Sequence, residues 1–314
     1  MIRPCVFAGF FVALQCDKLN IMLSILIPTY NYDCTQLVRD LHGQAELLGV
    51  DYEIIVMDDA SPQPDCKLRN RVINELPHCR YVELESNLGR ARIRNRLADE
   101  ARFDWLLFMD SDAEVVSNSF IADYLKHTDA DVVCGGLCHA DTLPSPEVSL
   151  RYAYEKRADK KRTARFRAQH PYGQFITFCF MVHASIFRSI RFDESITEYG
   201  HEDTLFGVEL ERRKANILHI DNPMRQGGIE TNEEFVEKTR AALRNLALME
   251  GNLQNHSSLL RLYGVLHRVR MDRCVARWFA RREGWLTARL ISPKPKLHLY
   301  FIYKLGYYCG LKQK

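Results

Sequence analysis

No run of about 20 uninterrupted apolar residues occurs in this chain, so no segment of it reads as a membrane-spanning helix. The nearest candidates, Cys5–Leu14 and the aromatic stretch Leu297–Leu311, are both too short. The ten cysteines include no C-x-x-C pair. Cys134, Cys138 and Cys179 fall within or beside apolar strand-like runs, where cysteine acts as a small hydrophobe. That argues against a disulfide framework and a zinc site, and points to a reducing compartment. No G-x-G-x-x-G follows the first apolar run, so a dinucleotide-binding domain would lack its phosphate loop. No internal repeat is present.

What is there is ordinary globular composition: 314 residues, 46% hydrophobic and 26% charged, enough for one large domain and an appendage. The net charge of +3 hides an asymmetry. From Gly251 to Lys314 there are 13 Lys and Arg against 2 Asp and Glu, a net of +11, so the first 250 residues carry −8. This pattern suggests an acidic catalytic body with a basic tail that meets something anionic: a phospholipid surface, an anionic acceptor or nucleic acid. Residues 1–21 are read as an N-terminal extension. Their apolar run after Arg3 resembles a signal-peptide core without a small-residue cleavage site, so an upstream start codon is the preferred reading, with Met22 beginning the folded domain.

Short apolar, β-branched runs alternate with helical spacing. Strands are expected at Met22–Pro28, Tyr52–Met57, Arg80–Leu84, Asp104–Met109 and Val132–Cys134, then Phe175–Val182 and Ile217–Ile220. Helices are expected at Thr35–Leu48, Cys66–Leu76, Gly89–Arg102 and Ser119–His127, then Glu202–Lys214 and Asn232–Leu248. This alternation predicts an α/β fold with a parallel sheet and right-handed crossovers. Residues 151–167 carry 8 basic and 2 acidic side chains, which suits a solvated helix or loop, or a contact for phosphate groups.

The triad Asp110-Ser111-Asp112 ends the apolar run Trp105–Met109. Two carboxylates at the carboxyl end of a buried strand can hold a hard cation such as Mg²⁺ or Mn²⁺, which takes oxygen ligands and shares them with substrate phosphates. In an open α/β sheet that crevice is where ligands bind. Alone, such a triplet also looks like a solvated turn. Its companions are Pro28-Thr29-Tyr30-Asn31, Asp58-Asp59-Ala60-Ser61, and Asn87-Leu88-Gly89-Arg90 running into Arg94-Asn95. Each follows an expected strand or opens a helix, and a parallel sheet would bring all of them to one crevice.

The order SILIPTYN, VMDDAS, NLGRARIRN, FMDSD resembles glycosyltransferase family 2, a large inverting group with the GT-A fold, over about Met22 to Lys238. The resemblance implies an α/β GT-A domain over residues 22–250 with a basic, aromatic helical region over 251–314. It also implies a nucleotide-sugar donor. Pro28, Thr29, Tyr30 and Asn31 would form the nucleotide wall. Asp59 would accept a hydrogen bond from uracil, while Asp58 is structural. Asn87 and Gly89 belong to the donor loop, where glycine admits a close backbone approach. Arg90 or Arg94 would offset diphosphate charge, although either could equally be an exposed helix charge. Asp110 and Ser111 would lie by the ribose, with Asp110 reaching it or a metal-bound water. Asp112 would be the direct ligand of Mn²⁺ or Mg²⁺.

Inverting transfer needs a base to take the acceptor hydroxyl proton. Tyr199-Gly200-His201-Glu202-Asp203 matches the family's acidic pair at a helix start. Asp203 corresponds to the base, and Glu202 would orient the acceptor or the donor sugar. Acidic capping of a helix N-terminus would look the same. One departure stands out: many relatives carry a metal-ligand histidine where Gln226 aligns, and glutamine is a poorer ligand. Either Asp112 and the diphosphate carry more of the binding, or Arg225 supplies part of the compensation.

In the tail, Arg277, Arg281 and Arg282 with Trp278, Phe279 and Trp285 resemble an interfacial helix lying on a membrane. The alternative is that these aromatics pack onto the catalytic domain. The expected protein is thus a metal-dependent inverting glycosyltransferase, cytoplasmic and peripheral on the inner face of the cytoplasmic membrane. It would move a sugar from a UDP-linked donor to a glycan or lipid-linked glycan in surface-polysaccharide synthesis. The rivals are a non-catalytic nucleotide-sugar-binding subunit and a sugar nucleotidyltransferase. The latter usually has a glycine-rich basic loop where this chain has Pro28–Asn31. Nucleic acid is not expected as a partner, since no recognised nucleic-acid module occurs.

Overall fold

The computed structural model describes residues 21–196, 200–254 and 256–313. The expected N-terminal extension and Tyr199 lie outside them, apart from Ile21. The chain runs β1 (Met22–Thr29), α1 (Thr35–Leu48), β2 (Asp51–Asp58), α2 (Pro64–Asn70), β3 (Cys79–Glu83), α3 (Arg90–Glu100) and β4 (Trp105–Met109). It continues β5 (Ala113–Glu114), α4 (Phe120–Leu125), β6 (Val132–Cys134), β7 (Leu137–Cys138), α5 (Ser149–Asp159), α6 (Ala164–Arg167), β8 (Cys179–His183) and α7 (Ala184–Ile190). Then follow α8 (Glu202–Arg212), β9 (Ile217–His219), β10 (Met224–Gln226), α9 (Asn232–Leu248), α10 (Glu250–Leu253), α11 (Ser258–Arg268), α12 (Asp272–Leu290) and α13 (Leu297–Leu311).

The main sheet has seven strands in the order β3-β2-β1-β4-β8-β6-β9. β1 runs parallel to β2 and β4, β2 to β3, and β6 to β9, whereas β8 is antiparallel to both of its neighbours. The register pairs Ile25 with Ile54 and Leu107, so the carboxyl ends of β1, β2 and β4 lie side by side. A small sheet, β5-β10-β7, sits beside them.

Period-two alternation sends these strands' side chains to two cores. Leu23, Ile25, Ile27, Ile54, Val56 and Leu107 pack with Leu37, Val38 and Leu41 of α1. Leu26, Ile55, Met57, Leu106 and Phe108 face the other way, onto Ile93 and Leu97 of α3 and Phe206 of α8. Each such side chain, fully buried, contributes about 1.5–3 kcal/mol. α1 ends at Gly49, whose left-handed backbone (φ 61) lets its N–H return to the carbonyls of Ala45 and Glu46. α9 starts with a capping box between Thr231 and Glu234.

Two expected elements differ. Phe175–Val182 is not one strand: Phe175 and Phe178 are buried, but pairing begins only at Cys179. Burial of an apolar run does not require extended pairing, and the Phe178 carbonyl instead accepts from Asp110 N at 3.0 Å. Cys66–Leu76 divides into α2, which starts at Pro64, and a 3₁₀ turn over Arg71–Glu75. The basic stretch 151–167 forms α5 and α6, with Glu155 and Arg167 buried. Arg167 is therefore no phosphate contact: it donates to the carbonyls of Cys134, Gly135 and Ile220.

The C-terminal region folds against the rest. Tyr300 and Tyr303 of α13, Phe279 and Leu286 of α12, and Phe235 of α9 share one core. Phe279 therefore leaves the expected interfacial face and packs inward, 4% exposed. Helix periodicity explains this: Ala276, Phe279, Leu286 and Leu290 face the body, while Arg277, Trp278, Arg281, Arg282 and Trp285 face outward. Among the described residues no helix is long and apolar enough to cross a membrane, and the eight cysteines are all free.

Candidate functional site

A cleft of roughly 900 Å³ opens beyond the carboxyl ends of β1, β2 and β4. Pro28, Thr29 and Tyr30 line it from β1, Asp59 from β2, and Asp110, Ser111 and Asp112 from β4. Asn87, Gly89, Arg90 and Arg94 come from the start of α3, and Glu202 and Asp203 from the start of α8. One expected residue stands apart. Asn31 takes a left-handed turn (φ 52), its N–H donates to Ser61 Oγ at 2.7 Å, and its Oδ1 accepts from Gln63 N at 3.3 Å. It ties the loops after β1 and β2 together and is not part of the cleft wall.

The two carboxylates after β2 have separate partners. Asp58 accepts from Ser61 N at 2.7 Å and from the Tyr81 hydroxyl at 3.0 Å, which makes it a loop anchor. Asp59 accepts from Leu88 N at 2.6 Å and Gly89 N at 3.0 Å. Asn87 closes the same contact by donating to the Asp59 carbonyl at 2.9 Å. Asp59 thus fixes the loop that enters α3 as well as lining the cleft. Gly89 has φ 81, a conformation that side chains resist, and it starts the helix.

Arg94 is 2% exposed. Its Nη1 donates to the Arg90 carbonyl at 3.2 Å, its Nη2 donates to Asp110 Oδ1 at 2.5 Å, and its guanidinium stands over Phe192. The Arg94 charge is committed to Asp110. Arg90 is half-exposed, with Nη1 3.5 Å from Glu202 Oε1. Its charge also favours the ionised form of Asp112.

Asp112 accepts from Gln226 Nε2 at 3.4 Å. Behind the amide lies His139, whose side chain has no exposed surface and whose Nε2 is 3.2 Å from Gln226 Oε1. If the amide donates to Asp112, its oxygen faces His139, and His139 must carry its proton on Nε2. On the other side of the ring, Nδ1 lies 3.1 Å from Arg162 Nη1 and 3.2 Å from Asp159 Oδ1. Gly227 N donates to the Asp112 carbonyl at 2.7 Å, and a side chain at Gly227 would meet that carbonyl at 3.0 Å. Burial and the neighbouring Asp110 charge push the Asp112 carboxyl up to about 6. Arg225 points elsewhere, pairing with Glu114 at 3.5 Å. Among the described residues no three His, Cys, Asp or Glu side chains cluster as a metal site, which leaves the Asp110 and Asp112 carboxylates as the oxygen donors in the cleft.

The acidic pair is delivered by a strained turn. Gly200 and His201 both have positive φ (102 and 72), and a side chain at Gly200 would meet Ala242 at 2.8 Å. Asn245 of α9 holds the Gly200 carbonyl at 3.1 Å. Such backbone is found where a site over-determines it. Glu202 is buried, and its Oε2 has no hydrogen-bond partner among the described residues. Asp203 Oδ1 accepts from Thr204 N at 2.7 Å. Burial first, and the Glu202 charge second, push Asp203 up to about 6. A carboxylate near that value can both ionise and accept a proton near neutrality.

The far wall was not foreseen. Arg151 and Tyr154 of α5, Lys238 and Thr239 of α9, and Tyr300 and Lys304 of α13 also line the cleft. The basic run 151–167 was a partial signal for the first of these. No spacing in the sequence connects α13 to the acidic pair.

The sequence profile of Glycosyl transferase family 2 matches residues 24–191. A teichoic acid poly(glycerol phosphate) polymerase of Staphylococcus epidermidis is 24% identical over 190 residues, 56% of this chain but only 24% of the polymerase. The chain therefore spans about a quarter of that relative's length. Among solved structures, S. aureus TarS 1-349 is 18% identical with a TM-score of 0.50, covering 93% of this chain and 90% of that one. The mannosyltransferase PcManGT of Pyrobaculum calidifontis, solved with GDP-Man and Mn²⁺, is 12% identical with a TM-score of 0.56, covering 93% and 86%. At these identities the solved structures speak for the fold alone, which is GT-A-like: a mostly parallel sheet flanked by helices. With more than half of its length matched to the profile, the chain belongs to glycosyl transferase family 2, a family of transferase enzymes.

Proposed function

We propose that this protein transfers a sugar from a nucleotide sugar, UDP-linked by preference, to a glycan or lipid-linked glycan acceptor, with inversion and with a divalent cation. The observation that carries the reading is the convergence of Asp59, the Asp110/Asp112 pair and the Glu202/Asp203 pair on one cleft. Tyr30, 51% exposed, offers an open ring to the base. Asp59 orders the donor loop. Asp203 takes the acceptor hydroxyl proton, and Glu202, with its unsatisfied oxygen, orients a sugar hydroxyl. The carboxylate oxygens of Asp110 and Asp112 suit Mg²⁺ or Mn²⁺, because hard cations leave their remaining positions to phosphate and water. When bound, the cation would offset charge developing on the departing nucleoside diphosphate. The polymerase relative supports surface-polysaccharide synthesis as the setting.

Calorimetry of UDP and GDP with and without Mn²⁺ tests the reading. Cation-dependent binding of UDP is expected; GDP in its place would change the base, and binding of neither by folded protein would remove the donor assignment.

The outward face of α12 supports a peripheral contact with anionic membrane on the cytoplasmic side. Trp278 and Trp285 lie at helical spacing among exposed Arg277, Arg281 and Arg282, and Arg289 covers the Trp285 ring. Sedimentation with phosphatidylglycerol vesicles is expected and should be salt-sensitive; retention by RNA instead would reverse the choice of partner.

A further inference from the structure

Most basic side chains that line the cleft have an acidic partner. Arg90 has Glu202, Arg94 has Asp110, Arg151 and Arg162 have Glu155, and Lys238 has Glu230. Lys304 differs. No carboxylate of the described residues lies within ion-pair distance of its ammonium, which stands 5.9 Å from the Tyr154 ring and 5.5 Å from the Tyr300 ring. The rings offset part of the cost of a half-buried cation without replacing a counter-ion. The Lys304 charge is felt at His201: after burial, it is the next cause holding that imidazole below the ordinary histidine range. His201 directly precedes Glu202 and Asp203, and Lys304 lines the same cleft as that acidic pair.

The position within the cleft decides what that cation faces. Asp59, Asp110 and Asp112 lie at the strand ends, which form the donor side. Thr239 lines the same cleft from α9, and Tyr300 and Lys304 line it from α13. A base that deprotonates the acceptor must stand beside it, and the turn that carries Asp203 packs on α9: Gly200 lies against Ala242, and its carbonyl accepts from Asn245. This placement of the acceptor rests on the reading of Asp203 as that base.

We propose that the α9–α13 wall is the acceptor subsite and that Lys304 binds an oxyanion, phosphate or carboxylate, carried by the acceptor. A lysine ammonium serves such a group as a point charge with three donors. The C-terminal helix is then part of the specificity machinery as well as of the fold.

The test uses the full chain saturated with UDP and Mn²⁺, so that the donor site is closed to phosphate. Glycerol 3-phosphate, glucuronate and neutral glycerol are titrated by saturation-transfer NMR. At least one anionic probe should bind saturably while glycerol does not, and the preferred probe identifies phosphate or carboxylate. Lys304→Gln should weaken that binding by about tenfold, as expected for one charge-assisted hydrogen bond, and Lys304→Arg should keep it. Equal binding by native protein and Lys304→Gln overturns the proposal. So does a loss of UDP affinity in Lys304→Gln without loss of the anionic probe, which would move Lys304 to the donor diphosphate. Native protein that binds UDP but no anionic probe overturns the acceptor assignment alone, and native protein that binds neither overturns the donor reading with it.

Discussion

Arg94 and Asp110 form a nearly buried ion pair, Nη2 to Oδ1 at 2.5 Å, that joins the apolar face of α3 to the end of β4. The arginine side chain is 3% exposed and the aspartate 25%. A guanidinium so placed must be paired, because an isolated charge there would lose its hydration without compensation. The pair therefore fixes where Asp110 points before any ligand arrives.

Removing both partners should cost less than the sum of removing each. Arg94→Met is expected to destabilise the fold by about 3 kcal/mol, the range for breaking a buried pair. Arg94→Met with Asp110→Asn should cost less than the two single changes added together. Denaturant midpoints of the four proteins give the coupling directly, and strict additivity would show that the pair contributes nothing as a pair.

Asp59 holds two backbone N–H groups, and this makes a conservative change informative. Asparagine offers one acceptor oxygen, so Asp59→Asn leaves either Leu88 N or Gly89 N facing an amide. A loss of about 1–3 kcal/mol is expected for an orphaned buried donor. Faster hydrogen exchange at Leu88–Arg90 should accompany weaker nucleotide binding. Weaker binding with unchanged exchange would separate base recognition from loop support.

Much of this site was legible because strand ends carry it. The apolar runs before Pro28, Asp58 and Asp110 had to be buried strands, and their parallel pairing brought the following polar residues together. The family resemblance was borne out by the profile match. The direction of β8 was not legible, since an apolar run specifies burial but not orientation. The burial of Arg94 left a signal: Ala91, Arg94 and Leu97 recur at three-residue spacing, which sets the arginine on the buried face of α3. Lys304 left none, because only the tertiary packing of α13 on α5 and α9 brings it to the cleft.

Asp203 and Asp112 should make stability and transfer respond oppositely to pH. Both carboxyls are pushed up to about 6 by burial and a neighbouring carboxylate. Their folded values lie above the ordinary value near 4. Between about pH 4 and 6 the folded protein thus holds protons that the unfolded chain has released, so stability falls as pH rises through that window. With Asp203 as the proposed base, transfer needs it ionised, so kcat/KM should climb by up to about tenfold per pH unit below 6 and then level. Thermal midpoints of cation-free protein across this range should decline, and less steeply in Asp203→Asn. A full slope in Asp203→Asn would show that the titrating group lies elsewhere.

The family resemblance would place a ligand histidine at Gln226, and the geometry of this amide suggests what it does there. Its amide donates to Asp112 Oδ2 while its oxygen meets His139 Nε2, so the Asp112 carboxylate is held through a buried histidine. The same donation lowers the Asp112 pKa against the effects of burial and Asp110. Gln226→Ala should therefore raise it further and keep Asp112 protonated to higher pH. Mn²⁺ affinity, read from the free-ion electron paramagnetic resonance signal, should fall by about tenfold, the lower end for loss of a supporting contact. The deficit should shrink as pH rises above 7, because deprotonation restores the carboxylate that the missing amide no longer favours. His139→Phe should produce a smaller loss of the same kind by freeing the amide to rotate. A deficit in Gln226→Ala that is independent of pH would instead mean that the amide oxygen itself reaches the cation, with His139 merely its neighbour.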